Sequence, residues 1–123
     1  MQLDLSAERS IYLQIAAQIE DSILQNALEE EAQVPSTNQL AALYRINPAT
    51  AAKGINILVD EGILYKKRGI GMFVAAGARQ QIREKRRQTF EVSFIRPLLA
   101  EALRLGIEPA ELCRMITKTQ KKS

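Results

Sequence analysis

The stretch "NPATAAKGINILVDEGILYKKRGIGMFV", Asn47 to Val74, changes its period halfway, and that change decides the fold. Its first half is a helix with both ends marked. Asn47 is an N-cap residue, Pro48 takes the first helical position, where a missing N–H costs nothing, and Gly62 stands just past the last turn. Ile55, Leu58 and Val59 recur at helical spacing and form its buried side. Gly54 inside the helix costs about 1 kcal/mol relative to alanine; close packing against the preceding helix is the expected reason. Beyond Gly62 the pattern becomes extended. "ILYKK" and "MFV" are rich in β-forming residues, and "RGIG" between them supplies the positive φ angles of a hairpin turn.

Glycines beside Lys66, Lys67 and Arg68 suit either a loop that cradles a nucleotide phosphate or a finger laid on a DNA backbone. The context separates the two. "RGIG" runs into a strand and not into a helix whose N-terminus would receive a phosphate, and the chain contains no Gly-x-x-x-x-Gly-Lys-Ser/Thr. On the DNA reading, Gly69 and Gly71 let the hairpin backbone come close to the duplex while the three cations supply charge.

Upstream, "VPSTNQLAALY" opens another short helix: Ser36 is an N-cap and Gln39 completes a Ser-x-x-Gln capping box, with Leu40, Ala41, Leu43 and Tyr44 as the inner face. The two helices are separated by a tight turn. Before them, Tyr12, Ile15, Ala16, Ile19 and Ile23 trace the apolar stripe of a first helix from about Ile11 to Leu28. Glu29, Glu30 and Glu31 then read as a solvated turn. Downstream of Ala75 the chain turns helical again, with Pro97 either kinking that helix or opening a new one and Gly106 stopping it. A last helix begins at Glu108–Pro109, and "KTQKKS" reads as a frayed, solvated tail.

Helix, helix, tight turn, helix and hairpin, in that order, make a mainly α fold with a small β-hairpin, the winged helix-turn-helix. The expected domains are residues 1–75, with the helix-turn-helix at about 37–56 and the wing at about 63–74, and a helical tail over 76–123.

Charge supports the DNA reading. Residues 1–75 hold six Lys/Arg against nine Asp/Glu, and residues 76–123 eleven against five, yet in the acidic part every basic residue except Arg9 lies between Arg45 and Arg68. A polyanion needs such a local basic face. No apolar run approaches the roughly 20 residues of a membrane span, and the N-terminus has no signal-peptide pattern, so a cytoplasmic protein without a membrane partner is expected. The 123 residues include no histidine and one cysteine, Cys113, which rules out an internal disulfide and multi-thiolate metal sites and leaves enzyme chemistry disfavoured. Cys113 reads as a small buried hydrophobe. No cofactor and no metal are expected.

Over about 65 consecutive residues the sequence resembles the DNA-binding domain of GntR-type bacterial transcription regulators. The specific matches are Val34 to Ala41, Asn47 to Thr50, Glu61 to Leu64 and Arg68 to Val74. The short tail is similar to that of the YtrA-like subfamily, whose two C-terminal helices are understood to serve dimerisation. The resemblance implies that Ser36 and Thr37 approach phosphates, that Pro48, Ala49, Thr50 and Lys53 lead the recognition helix, and that Arg68 and Gly69 form the wing tip. Asn38, Asn47, Lys67 and Gly71 complete the expected DNA-contacting set. Two positions depart from the family: many members have arginine at Asn38 and at Ala52. Arginine is the best reader of guanine, so its absence leaves few side chains for direct readout.

Phe90, Phe94, Leu98, Leu99, Ala102, Leu103, Leu112, Met115 and Ile116 are the expected dimerisation surface. Arg79, Arg83, Lys85, Arg86 and Arg87 read as a solvated helix face that can add a phosphate contact. The expected function is a homodimeric regulator, a repressor on a palindromic operator in double-stranded DNA. The alternative is a winged helix that serves protein interaction. Longer-tailed relatives carry a separate effector domain for which this chain has no room; the sequence leaves open an unidentified small-molecule effector between the tail helices.

Overall fold

Helix α1, Ile11–Leu24, buries Ile11, Ile15, Ala16, Ile19 and Ile23, so its apolar stripe is the one read from the spacing, but it ends four residues before Leu28. Asn26 takes the left-handed conformation at φ 61°. The Asn26 N–H donates to Ile23 O at 3.1 Å and the Ala27 N–H to Ser22 O at 2.9 Å, closing a Schellman motif in which asparagine replaces the usual glycine. The computed structural model describes Leu3 and residues 11–122.

Helix α2, Thr37–Tyr44, starts from the predicted capping box: Ser36 Oγ accepts from Gln39 N at 3.1 Å, and Gln39 Oε1 accepts from Ser36 N at 2.8 Å. Leu40 and Ala41 are buried as expected and Tyr44 is half-buried, its hydroxyl donating to Gln18 Oε1 at 2.5 Å. Leu43 corrects the reading. It is 71% exposed, because in so short a helix only one narrow stripe faces α1 and α3. Arg45 then carries the turn in the left-handed region at φ 56°. Helix α3, Pro48–Asp60, opens with Asn47 Oδ1 accepting from Ala49 N at 2.8 Å. It closes on Gly62 at φ 78°, with Gly62 N donating to Val59 O and Ile63 N to Leu58 O. Removing the first cap by Asn47→Ala should cost about 1 kcal/mol, read as a lower midpoint in thermal unfolding.

Ala51, Gly54, Ile55 and Leu58 are the buried residues of α3, with Val59 half-buried. Gly54 packs on α1, not on α2 as expected. A Cβ built there would lie 2.7 Å from Tyr12 O and 2.9 Å from Ile15 Cβ, so the backbones of α1 and α3 meet at this point.

Strands β1, Leu64–Lys67, and β2, Gly71–Val74, pair antiparallel with Tyr65 opposite Phe73 and Lys67 opposite Gly71. A two-stranded hairpin is marginal alone, and here it gains a third edge that the sequence did not announce. Gln33 bridges Phe73; Val34 N donates to Met72 O at 2.8 Å, and Val74 N donates to Ala32 O at 3.0 Å. The glutamates just before this edge are anchored as well as solvated: Gly77 N donates to Glu30 Oε1, and the Tyr65 hydroxyl donates to Glu31 Oε2, both at 2.5 Å. That carboxylate raises the Tyr65 pKa above its ordinary value.

Helix α4, Ala78–Phe90, begins in the same core: Ala78 and Ile82 are fully buried, Gln81 Nε2 donates to Glu61 O, and Arg79 Nε donates to Leu24 O at 3.2 Å. Arg79 thus caps the C-terminal end of α1, where a cation is favoured, and is not part of a merely solvated face. Ile15, Ile23, Ile55, Leu58, Ile63, Leu64, Val74 and Ile82 are the largest fully buried side chains, each worth about 1.5–3 kcal/mol of transfer from water.

The chain divides into two compact units, the first running to Glu84 and the second from Lys85. In the second, a π-helical segment, Glu91–Ile95, is followed by helix α5, Arg96–Arg104, which holds Pro97 in its first turn, where the missing N–H is tolerated. Gly106 ends α5 at φ 71°, as read from the sequence. Helix α6, Pro109–Lys122, continues through Lys118 to Lys122 of the segment expected to fray, and Ser123 lies outside the described residues; Lys121 and Lys122 in its last turn suit the negative end of the helix dipole. Cys113 is exposed, not buried, because the inward position of that helix belongs to Leu112.

Candidate nucleic-acid interface

The N-terminus of α2 offers unpaired donors, whereas that of α3 does not. At α2 the capping box occupies the N–H groups of Ser36 and Gln39, and those of Thr37 and Asn38 have no partner among the described residues. At α3, Pro48 has no N–H, Ala49 N is taken by Asn47 Oδ1, and Thr50 N reaches Asn47 O at 2.9 Å. Helix N-termini with open N–H groups attract anions, so phosphate fits the start of α2, and α3 is left to present side chains.

Those side chains form one stripe. Ala49, Ala52, Lys53 and Asn56 follow helical spacing on the side opposite Ala51, Ile55 and Leu58; Ala49, Lys53 and Asn56 are exposed and Ala52 is half-buried. Pro48 is exposed and Thr50 half-buried at the leading end. Lys53 does not wave freely in solvent: its Nζ sits 4.2 Å over the centroid of the Tyr12 ring on α1. Asn56 is a further candidate outside the expected set; its place three residues after Lys53, on the same exposed face, is the signal the sequence carries for it.

On the wing, Lys67 Nζ lies 4.3 Å over the Phe73 ring and 5.9 Å from the Tyr65 centroid, and those two rings stack across the strands at 6.0 Å. The ammonium is held against the hairpin by a diagonal cross-strand contact. Arg45, Lys66 and Arg68 are exposed, and their side chains make no ion pair among the described residues. The tip is a turn closed by Ile70 N on Lys67 O at 2.9 Å, with Gly69 as its third residue at φ 78°.

The two wing glycines differ in a way that the sequence did not show. Nothing lies within 4 Å of the position a Cβ would take at Gly69, so backbone approach there is open. At Gly71 a Cβ would sit 2.5 Å from Gln33 Nε2, which donates to Ile70 O at 3.1 Å. The space at Gly71 is filled from within the protein, and its glycine serves the fold.

The structure joins α2 to α3 and α3 to β1 through direct packing, so the start of α2, the stripe on α3 and the wing belong to one unit. In the second unit Phe90, Phe94, Leu98, Leu99, Leu103, Met115 and Ile116 are exposed on the single chain, whereas Ala102 and Leu112 are already buried. Those two expected contact residues therefore offer no free surface. Among the described residues no helix is long and apolar enough to cross a membrane, and no group of three or more His, Cys, Asp or Glu is placed to hold a metal ion.

Comparison with known proteins places the same stretch. The family model of bacterial regulatory proteins, gntR family, matches residues 11–74. The HTH-type transcriptional repressor YtrA of Bacillus subtilis is 28% identical over 112 residues, covering 91% of this chain and 85% of the relative. Two longer curated relatives are spanned only to 33% and 30% of their own length. Among solved structures, a putative transcriptional regulator of the GntR family from Bacteroides thetaiotaomicron superposes with a TM-score of 0.71 at 34% identity, covering 91% of this chain and 97% of that one. AraR(DBD) in complex with operator ORX1 superposes with a TM-score of 0.50 at 33% identity over 52% of this chain and 77% of that one.

Proposed function

The chain belongs to the GntR family of bacterial regulatory proteins, and we propose that it is a homodimeric, operator-binding transcription repressor. Its matched relatives are transcription regulators, not enzymes. The observation that carries the reading is the association, in one unit, of a capped helix-turn-helix with a wing whose cations Lys66 and Arg68 have no ion-pair partner among the described residues. Solved structures of a similar domain on operator DNA support the same use of the fold here. In the proposed complex α3 enters the major groove, the open N–H groups of Thr37 and Asn38 meet phosphate, and Arg68 with Gly69 lies on the adjacent backbone or minor groove.

A single winged unit makes too few contacts to find one site in a genome. A two-fold dimer reads two half-sites about 34 Å apart, and the exposed apolar residues of the second unit supply the self-association surface. So many exposed large apolar side chains in one unit call for a partner, and a second copy with the same surface closes it symmetrically.

Binding of the purified full chain to the promoter fragment upstream of its own gene, titrated with salt, tests the reading. A sequence-independent affinity would sink it. Lys53→Ala should weaken binding and reduce the slope of log K against log[salt] by about one unit, the behaviour of a phosphate contact. An unchanged binding curve would remove Lys53 from the interface.

A further inference from the structure

Building on the operator-binding reading, we infer that the half-site facing α3 is made of A·T pairs, read by side-chain amides and methyl contacts in place of guanine-reading cations. The sequences of α2 and α3, "TNQLAALY" and "PATAAKGINILVD", contain no arginine. Their one cation, Lys53, is held over the Tyr12 ring at 4.2 Å; of the two side chains that contact guanine O6 and N7 it is the point charge without arginine's planar fork.

The groups that remain have a common preference. Asn38 and Asn56 are exposed, and their amides have no hydrogen-bond partner among the described residues. An amide pairs two-pronged with N6 and N7 of adenine. Ala49 has spent its N–H on Asn47 Oδ1, which leaves its methyl, with that of Ala52 one turn on, to face the groove. The partner of a small apolar side chain in the major groove is the thymine C5-methyl. The wing adds an independent preference of the same kind, because its tip carries Arg68, exposed and without an ion-pair partner among the described residues, and the narrow minor groove of A·T-rich DNA attracts arginine.

The test is selection of binding sites from a random duplex library with the full chain. The selected half-site is then remade with uracil for thymine, and with wild-type protein against Asn56→Ala. Adenine and thymine should be fixed at the positions under α3, and each lost methyl should weaken binding about four-fold, by the transfer free energy of one carbon. Asn56→Ala, with an unchanged circular dichroism spectrum, should cut the preference for adenine over guanine at one position by about five-fold or more. Half-sites fixed at guanine, undiminished binding to uracil-substituted DNA, or an equal loss on every sequence with Asn56→Ala would each overturn the inference and leave the operator reading intact. A protein that enriches no sequence at all overturns the operator reading itself.

Discussion

Gly54→Ala should destabilise the winged unit by about 1–2 kcal/mol, although an alanine at an ordinary helix position would stabilise it. The helix-propensity gain is about 1 kcal/mol. Against it stands a Cβ 2.7 Å from the Tyr12 carbonyl oxygen and within 3.0 Å of two atoms of Ile15. The first of these is backbone, so no side-chain rotation relieves it; α1 must move away from α3. Over-filling of this kind costs about 1–3 kcal/mol, occasionally more, and α1–α3 contact also determines whether Ile15, Ile55 and Leu58 stay dry. For a unit of this size each kcal/mol shifts the thermal midpoint by about 4–8 °C, so a fall of roughly 10 °C is expected. Because Tyr12 is the residue pushed, the Lys53 contact moves too, and DNA affinity should fall at temperatures where the variant is still folded. A variant as stable as the parent would show that α1 and α3 do not approach at Gly54.

Gly54 also marks the limit of what the sequence discloses. The features legible in advance are local. The capping box of Ser36 and Gln39, the Asn47–Pro48 start, the stops at Gly62 and Gly106 and the hairpin turn at Gly69 each depend on a few adjacent residues and fixed backbone geometry. The order of these elements, with the motifs they carry, is also what made the family resemblance readable, and the family match over residues 11–74 bears it out. What stayed hidden depends on residues far apart in the chain. That a glycine wants a close neighbour is visible; that the neighbour is Tyr12 is set by how α1 crosses α3. Gln33 gives no strand signal, because a single bridging residue has no period, yet it braces both Ile70 and Phe73. Hydrophobicity alone points Cys113 and Leu43 inward, but in short or sparsely packed helices one neighbour takes the inward place instead. Among the candidate site residues the split is the same: the caps and the wing tip were readable, whereas the aromatic seats of Lys53 and Lys67 needed the fold.

The largest effect on function is expected from the tail, far in sequence from any base-reading residue. Phe94→Glu combined with Leu99→Glu should yield a folded monomer whose operator affinity is lower by about 10²–10⁴, the factor by which linking two modules raises binding over one. Phe94 is 66% and Leu99 44% exposed on the single chain, so the substitutions remove little intramolecular packing, and the thermal midpoint of the winged unit should be preserved. In a dimer the same positions would be buried, and two glutamates per subunit would place four uncompensated carboxylates in an apolar contact, a cost of several kcal/mol. The size of the loss on DNA distinguishes this variant from Lys53→Ala. Removing one phosphate contact lowers the salt slope by about one unit, whereas losing a whole half-site should halve the slope as well as the number of base pairs protected. Sedimentation equilibrium reports the mass, and a salt titration on the same operator reports the slope. Persistence of the dimer would move the contact off this face. A monomer that bound a full operator as tightly as the parent would mean that one wing and one recognition helix suffice, and the two-fold reading of the operator would fall with it.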